Sequence, residues 1–290
     1  MNQKAELFID SRCELGEGPF WNPLVERIFW FDILGQTLLS ATPEGQLVDR
    51  ITFADKAAAA AVVDETTLAV FQSGGLLRYD MTTDTSTLID PVEADKPFNR
   101  SNDSRMDRSG GFWLGTMNRG GGQPRSGAVY QWKAGTLTTI LENVGIPNSI
   151  CFSPDGSRAY FTDAGAVIRT CTLDPATGLP NGPWTDFAGA IAPGGGDGSV
   201  VDSEGFVWNA RWGGSCVARI SPEGKLDRII ELPVPNVTCP AFGGKDMKTL
   251  YITTARENLS AEELERYPLS GSLFAIDVDV PGIAEPFLKL

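Results

Sequence analysis

Short runs rich in Val, Ile, Phe, Trp, Tyr and Thr alternate along this chain with turns built from glycine and proline. Such runs predict β-strands. No long segment keeps the 3.6-residue apolar period of an amphipathic helix. The run Lys56 to Val63, KAAAAAVV, has a helix-like composition, but its place in the repeat described below predicts a strand. Only NLSAEELERY, 258–267, predicts a helix, with Ser260 as N-cap and Glu263 completing a capping box.

The strands repeat. Six segments share one plan, and their central strands are RIFWFD (27–32), TLAVF (67–71), GFWLGT (111–116), RAYFTD (158–163), GFVWNA (205–210) and TLYITT (249–254). The second apolar position of each falls at Phe29, Leu68, Phe112, Tyr160, Val207 and Tyr251, so successive intervals are 39, 44, 48, 47 and 44 residues. A period of roughly 40–50 residues with several strands per unit is the signature of a β-propeller. The expected fold is therefore all-β, a six-bladed propeller occupying residues 1–290 as one domain. Hairpin turns recur between first and second strands, as in DRSGG (107–111), SPDGS (153–157) and DSEGF (202–206), where glycine supplies positive φ. The N-terminal KAELFID (4–10) has no blade of its own. It is expected to add the outer strand of the last blade and close the ring.

Composition narrows the function. The net charge of −13 argues against a nucleic-acid partner, which needs clustered Lys and Arg. No run approaches the ~20 apolar residues of a membrane span, and the first thirty residues lack a signal-peptide core. Five cysteines with no C-x-x-C pair fit a reducing cytoplasm better than a disulfide framework. The chain contains no histidine. That excludes Ser-His-Asp and Cys-His nucleophile systems and histidine-based zinc sites. Catalysis has to rest on carboxylates, amides, Lys, Arg, Tyr or a metal held mainly by oxygen.

In a propeller the first strand of each blade lines the central channel. Glu17 lies twelve residues before Phe29, and Asn148 twelve before Tyr160; Asn102 lies ten before Phe112, and Asp197 ten before Val207. The longer turns of the first and fourth blades account for the difference. All four side chains are thus expected in one layer at one channel mouth. Ala57 or Ala58 holds that place in the second blade, and Thr238 or Cys239 in the sixth. Two carboxylates and an amide carbonyl suit a divalent cation, with positions left for water and substrate. Hydrogen bonding to buried water is the other use of such a ring.

LGEGPFW, RSNDSRMD, GTMN, PNSICFSPDG, YFTD, DGSVVDSEGFVW and RWGG closely resemble, in order and over nearly the whole chain, the motifs of the gluconolactonase/regucalcin (senescence marker protein) family. GSVVDSEGFVWNARWGG and FGGKDMKTLYITTARENLS look most like bacterial xylonolactonases and arabinonolactonases. The resemblance implies a metal-dependent lactonase, a carboxylic ester hydrolase that opens a sugar lactone to the aldonic acid. It places one divalent cation (calcium, zinc, manganese, magnesium or iron(II)) on Glu17, Asn148 and Asp197. It makes Asp197 the general base for water, and it gives Arg100 and Asn102 the sugar. A soluble cytoplasmic monomer with no nucleic-acid or membrane partner is expected. Two departures stand out. Gly196 in GGGDG (194–198) replaces the family's proline, and NRGGG (118–122) lacks an acid that some members place after GTM.

Two other functions fit the same pattern: a calcium-binding or regulatory propeller without turnover, and a paraoxonase-like esterase or phosphotriesterase. Asp103 should face away from Asn102 along its strand and accept backbone hydrogen bonds. Asp163 is expected to cap a strand end near the channel. Arg211 reads equally as a contact to a sugar hydroxyl or as a surface salt bridge. Cys239 reads as a small buried thiol. Trp113, Trp208 and Trp212 read as packing, and the glycosylation pattern NVT (236–238) as coincidence.

Overall fold

The computed structural model describes residues 3–290 apart from 122 and 166. Six antiparallel sheets follow one another around a central channel. The first is formed by Gly16–Asn22, Arg27–Asp32, Thr37–Ala41 and Leu47–Thr52. The same inner-to-outer order repeats through the innermost strands Ala57–Val62, Asn99–Met106, Pro147–Phe152, Gly195–Val201 and Val237–Gly243. The alanine-rich run is thus a buried strand. A single short helix, Ala261–Arg266, is found among the described residues, with Ser260 as its N-cap and Glu263 closing the capping box. No helix among them is long and apolar enough to cross a membrane.

Packing explains why the central strands are apolar on both faces. Each blade lies between two others, so there is no solvent side for alternation to serve. Six buried clusters fill the six gaps. Phe29, Phe31 and Leu68 lie between the first and second blades, and Trp113, Val129 and Phe161 between the third and fourth. Trp208, Phe242 and Phe274 lie between the fifth and sixth, and Trp30 and Tyr251 between the sixth and first. Burial of these side chains contributes roughly 1.5–3 kcal/mol each.

The ring closes as the N-terminal pattern predicts. Glu6–Ile9 pairs antiparallel with Leu273–Asp277 and supplies the outer strand of the sixth blade. Gln3–Lys4 adds something the sequence did not announce: it pairs parallel with Leu226–Glu231 of the fifth blade. The N-terminus therefore ties two blades together. At the far mouth, the C-terminal segment crosses the channel. Ser203 N donates to Pro281 O (2.9 Å), Arg108 Nη1 to Ala284 O (2.8 Å) and Leu288 N to Val62 O (2.8 Å). Glu285 forms an ion pair with the channel residue Arg105, and Leu288 is buried between the second and third blades.

Two hairpin turns are fixed by a buried aspartate. Asp107 accepts from the backbone N of Ser109 (2.8 Å) and Gly111 (3.0 Å) and from Trp113 Nε1 (3.2 Å). Asp202 does the same for Glu204 N, Phe206 N and Trp208 Nε1 (2.9, 3.0 and 2.9 Å). It also receives Arg219 Nε at 2.9 Å. The Arg219 guanidinium stacks 3.7 Å above the Phe206 ring and pairs with Glu204 and Asp227. Without Asp202, Arg219 keeps Glu204 and Asp227, but the two turn amides and the buried Trp208 Nε1 lose their acceptor, at a cost of about 1–3 kcal/mol for a buried unsatisfied donor. Asp202→Ala should lower the unfolding free energy in a urea titration by at least about 2 kcal/mol; a loss below about 1 kcal/mol would show that the turn does not depend on it.

Candidate active site

All six inner strands are irregular at the same level. In the first blade Glu17 pairs with Phe31 and Phe20 with Phe29, so Gly18 and Pro19 face one residue. The corresponding breaks fall between Ala57 and Ala59, Ser101 and Ser104, Asn148 and Cys151, Gly196 and Ser199, and Val237 and Pro240. A bulge inserts one residue, bends the strand and re-aims a side chain. Here it brings Glu17, Asn102, Asn148 and Asp197 to one cavity of about 300 Å³ at the mouth where the inner strands begin. That volume sits at the small end of the roughly 300–1,000 Å³ typical of small-molecule sites.

Backbone geometry accounts for the glycines beside Glu17. A Cβ at Gly16 would lie 2.6 Å from Thr254 O of the sixth blade. Gly18 has φ +51°, and a Cβ there would collide with Ala58 O of the second blade. Neither position admits a side chain. Asn148 is followed by Ser149, which takes the same left-handed conformation at φ 59°. Its hydroxyl donates to Asp197 O (2.5 Å), and Asn209 Nδ2 donates to the same oxygen (3.1 Å). The backbone carrying Asp197 is thus held from the fourth blade and from its own second strand.

A relay of hydrogen bonds orients the amides. Arg100 Nη1 donates to Asn102 Oδ1 (2.7 Å) and to Ser101 O (2.9 Å). Asn102 Nδ2 then donates to Asn148 Oδ1 (3.0 Å) and Pro147 O (2.8 Å). An amide oxygen has two lone pairs, so Asn148 Oδ1 keeps one for a ligand.

The carboxylates are in an unfavourable state as they stand. Glu17 and Asp197 are 7% and 5% exposed, and neither has an ion-pair partner among the described residues. Burial, then the negative charge of Asp103, pushes the Glu17 carboxyl up to about 8, although Gly18 N donates to it at 2.9 Å. Burial and the neighbouring Glu17 raise Asp197 well above the ordinary carboxylate range. Two buried carboxylates without a counter-charge resist ionising together. A divalent cation relieves both terms at once, and the donor set fits one: two carboxylate oxygens and an amide oxygen are hard ligands. Among the described residues no three His, Cys, Asp and Glu side chains group to hold a metal; the set reaches three only when Asn148 is counted.

Other positions singled out in the sequence sort themselves. Asp103 Oδ2 accepts from Ile150 N at 2.7 Å, the backbone role its strand direction predicts. Asp163 caps the start of the fourth blade, accepting from Gly145 N (3.0 Å) and Ile146 N (2.9 Å). Arg211 is buried and forms no surface ion pair among the described residues. It donates to Pro193 O, Ala192 O, Gly194 O and Asn209 Oδ1, so it clamps the loop before Asp197. Thr238 takes the ring position of the sixth blade but turns its hydroxyl to Gly16 O (2.5 Å), while Cys239 is a buried thiol beside Gly198. Trp113 and Trp208 are core; Trp212 is part-exposed and lines the cavity. Asn236 of the NVT pattern is buried and donates to Glu257 O (2.9 Å). Gly122, the last residue of NRGGG, lies outside the described residues.

One charged cavity residue among those described escaped the sequence reading. Glu257, just past the sixth blade's second strand, lines the wall with Asn258. It lies outside the repeat, and its only sequence signal is an acid following TTAR.

Comparison with known proteins gives this geometry a family. Residues 15–256 match the SMP-30/Gluconolactonase/LRE-like region. An L-arabinolactonase of Azospirillum brasilense is 34% identical over 97% of this chain and 94% of its own. A 6-deoxy-6-sulfogluconolactonase of Pseudomonas putida is 33% identical over 99% of each. The crystal structure of a calcium-binding regucalcin from Agrobacterium tumefaciens superposes with a TM-score of 0.95 at 36% identity, covering 100% of this chain and 99% of that one. The chain is a lactone-hydrolysing enzyme of the SMP-30/gluconolactonase family, and it belongs to that family along its whole propeller.

Proposed function

We propose that residues 1–290 act as one propeller domain that hydrolyses a sugar lactone to its aldonic acid with the help of one divalent cation. Glu17, Asn148 and Asp197 would hold the cation. The observation that carries this reading is the buried, unpaired carboxylate couple facing an oriented amide oxygen. The all-oxygen donor set favours calcium, magnesium or manganese over zinc, which prefers nitrogen and sulfur. A bound cation would supply positive charge where the lactone carbonyl oxygen becomes negative.

The chain's own residues would do the rest. Asp197, ionised once a counter-charge neutralises the site, takes the proton of the attacking water. Its carboxylate is aimed by Ser149 and Asn209 through the backbone they grip. Arg100 and Asn102 face the same cavity and orient sugar hydroxyls. With the far mouth crossed by the C-terminal segment, substrate enters and product leaves by the mouth that carries the ring. An unactivated carboxylate suffices as base because the substrate is an already reactive ester. A polar cavity floor with a guanidinium supports a sugar over the apolar acyl lactones and phosphotriesters of the paraoxonase-like alternative.

Three outcomes are expected. Asp197→Asn should lower kcat on a pentono- or hexonolactone by at least about a hundredfold, the scale of a lost general base, with little loss of fold stability; unchanged turnover would remove Asp197 from the chemistry. Glu17→Gln should weaken divalent-cation affinity in a direct titration, and turnover should return at high cation concentration; unaltered affinity would unseat Glu17 as a ligand. The third outcome concerns pH. Folding raises the Glu17 carboxyl from 4.5 to about 8. A group raised on folding stabilises the fold below its unfolded value, and that stability is lost as pH climbs through the folded value. Metal-free wild type should therefore lose Tm relative to Glu17→Gln between about pH 4.5 and 8, and saturating cation should abolish the difference. Parallel Tm profiles for the two metal-free proteins would contradict it.

A further inference from the structure

The cavity wall opposite the sugar-facing Arg100 carries a carboxylate with no assigned task. Glu257 lines the cavity, half-buried, with its backbone fixed at both ends: its N donates to Glu14 O (2.8 Å), and its O accepts from Asn236 Nδ2 (2.9 Å). Its carboxylate makes no hydrogen bond or ion pair among the described residues. Glu257 is also the anion whose field acts most strongly on the Arg100 guanidinium, ahead of Glu17 and Asp197. Opposite charges in one cavity, too far apart to touch, leave room for a group that can bridge them.

We propose that Glu257 is a substrate-binding residue of this cavity, which accepts a hydroxyl proton of the sugar across from Arg100 and so selects uncharged polyhydroxy lactones over lactones bearing a sulfonate, phosphate or carboxylate. The inference rests on the lactonase reading and names its substrate class.

The chemistry of the bridging group decides the matter. A hydroxyl both donates and accepts, so one hydroxyl, or two neighbouring ones, can satisfy a guanidinium and a carboxylate together. An anionic substituent only accepts. It could pair with Arg100 but would leave Glu257 unsatisfied and repelled in a partly desolvated wall. Among the described residues the cavity lining holds three carboxylates, Glu17, Asp197 and Glu257, against one guanidinium. A divalent cation balances that set, and an additional anion would unbalance it.

The test compares cation-loaded wild type, Glu257→Gln and Glu257→Ala on a neutral pentonolactone and on a hexonolactone carrying a carboxylate or a sulfonate. Glu265→Gln, on the exposed side of the neighbouring helix, is the control. Loss of a charged hydrogen-bond partner should raise KM for the neutral lactone by about tenfold or more while kcat stays within about threefold. The neutral-to-anionic ratio of kcat/KM should shrink by at least about tenfold in both Glu257 variants. Equal KM values or an unchanged ratio would overturn the proposal. A calorimetric titration with a neutral pentitol provides a readout without turnover. Binding weakened in Glu257→Gln and intact in Glu265→Gln supports the role of Glu257, and equal binding in both variants refutes it. If wild type opens no sugar lactone at all, the enzyme reading fails, while the pentitol titration still decides the role of Glu257.

Discussion

Glu17 and Asp197 sit buried in one cavity, and no cationic side chain among the described residues pairs with either. Desolvation alone makes that arrangement costly, and their mutual repulsion adds to it. A fold keeps such a pair only where something else supplies the counter-charge or where protonation removes the problem. Much of the surrounding structure serves to hold the two groups there regardless. Gly16 and Gly18 let two foreign strands press against the Glu17 backbone. Ser149 and Asn209 grip the Asp197 carbonyl, and Arg211 ties down the loop that leads into it. Arg100 and Asn102 orient the Asn148 amide beside them. The two carboxylates and the amide are thus held in place by the neighbours around them.

Propeller geometry supplies the convergence. Each blade contributes its inner strand at the same depth, and the bulge repeated six times turns a side chain toward the axis at that depth. Because every inner strand runs in the same sense, Glu17, Asn102, Asn148 and Asp197 gather at one mouth and the strand ends at the other. The C-terminal segment crosses that second mouth, with Glu285 reaching Arg105 inside the channel and Leu288 buried in the core. A channel open at one end makes a cavity, and a cavity partly excluded from water strengthens every charge interaction within it.

The repeat carried most of what could be read in advance. Blade count, central strands, the closing role of the N-terminal strand and the shared layer of Glu17, Asn102, Asn148 and Asp197 all follow from spacing, since each side chain is tied to a strand position. What spacing could not reveal depends on pairing between distant segments. A bulge is a mismatch between two strands; Gly18 and Gly198 hint at it, whereas Asn102–Asp103 and Asn148–Ser149 carry no such mark. The clamp made by Arg211 was not legible because its partners, the carbonyls of residues 192–194, become neighbours only when that loop folds back over it. Thr238 shares the ring position yet serves the seam between the sixth and first blades, which residue type alone does not disclose. Glu257 was missed because it lies outside the repeat and belongs to the wall rather than the floor of the cavity.

The central claim is that the buried carboxylates work through a divalent cation. The most direct measurement is background-corrected opening of a pentono- or hexonolactone by protein stripped with a chelator, then titrated with calcium, magnesium or manganese. The account predicts that stripped protein falls to the uncatalysed rate and that activity returns in proportion to bound ion, saturating at one per chain. Full turnover by protein shown to be metal-free would contradict it.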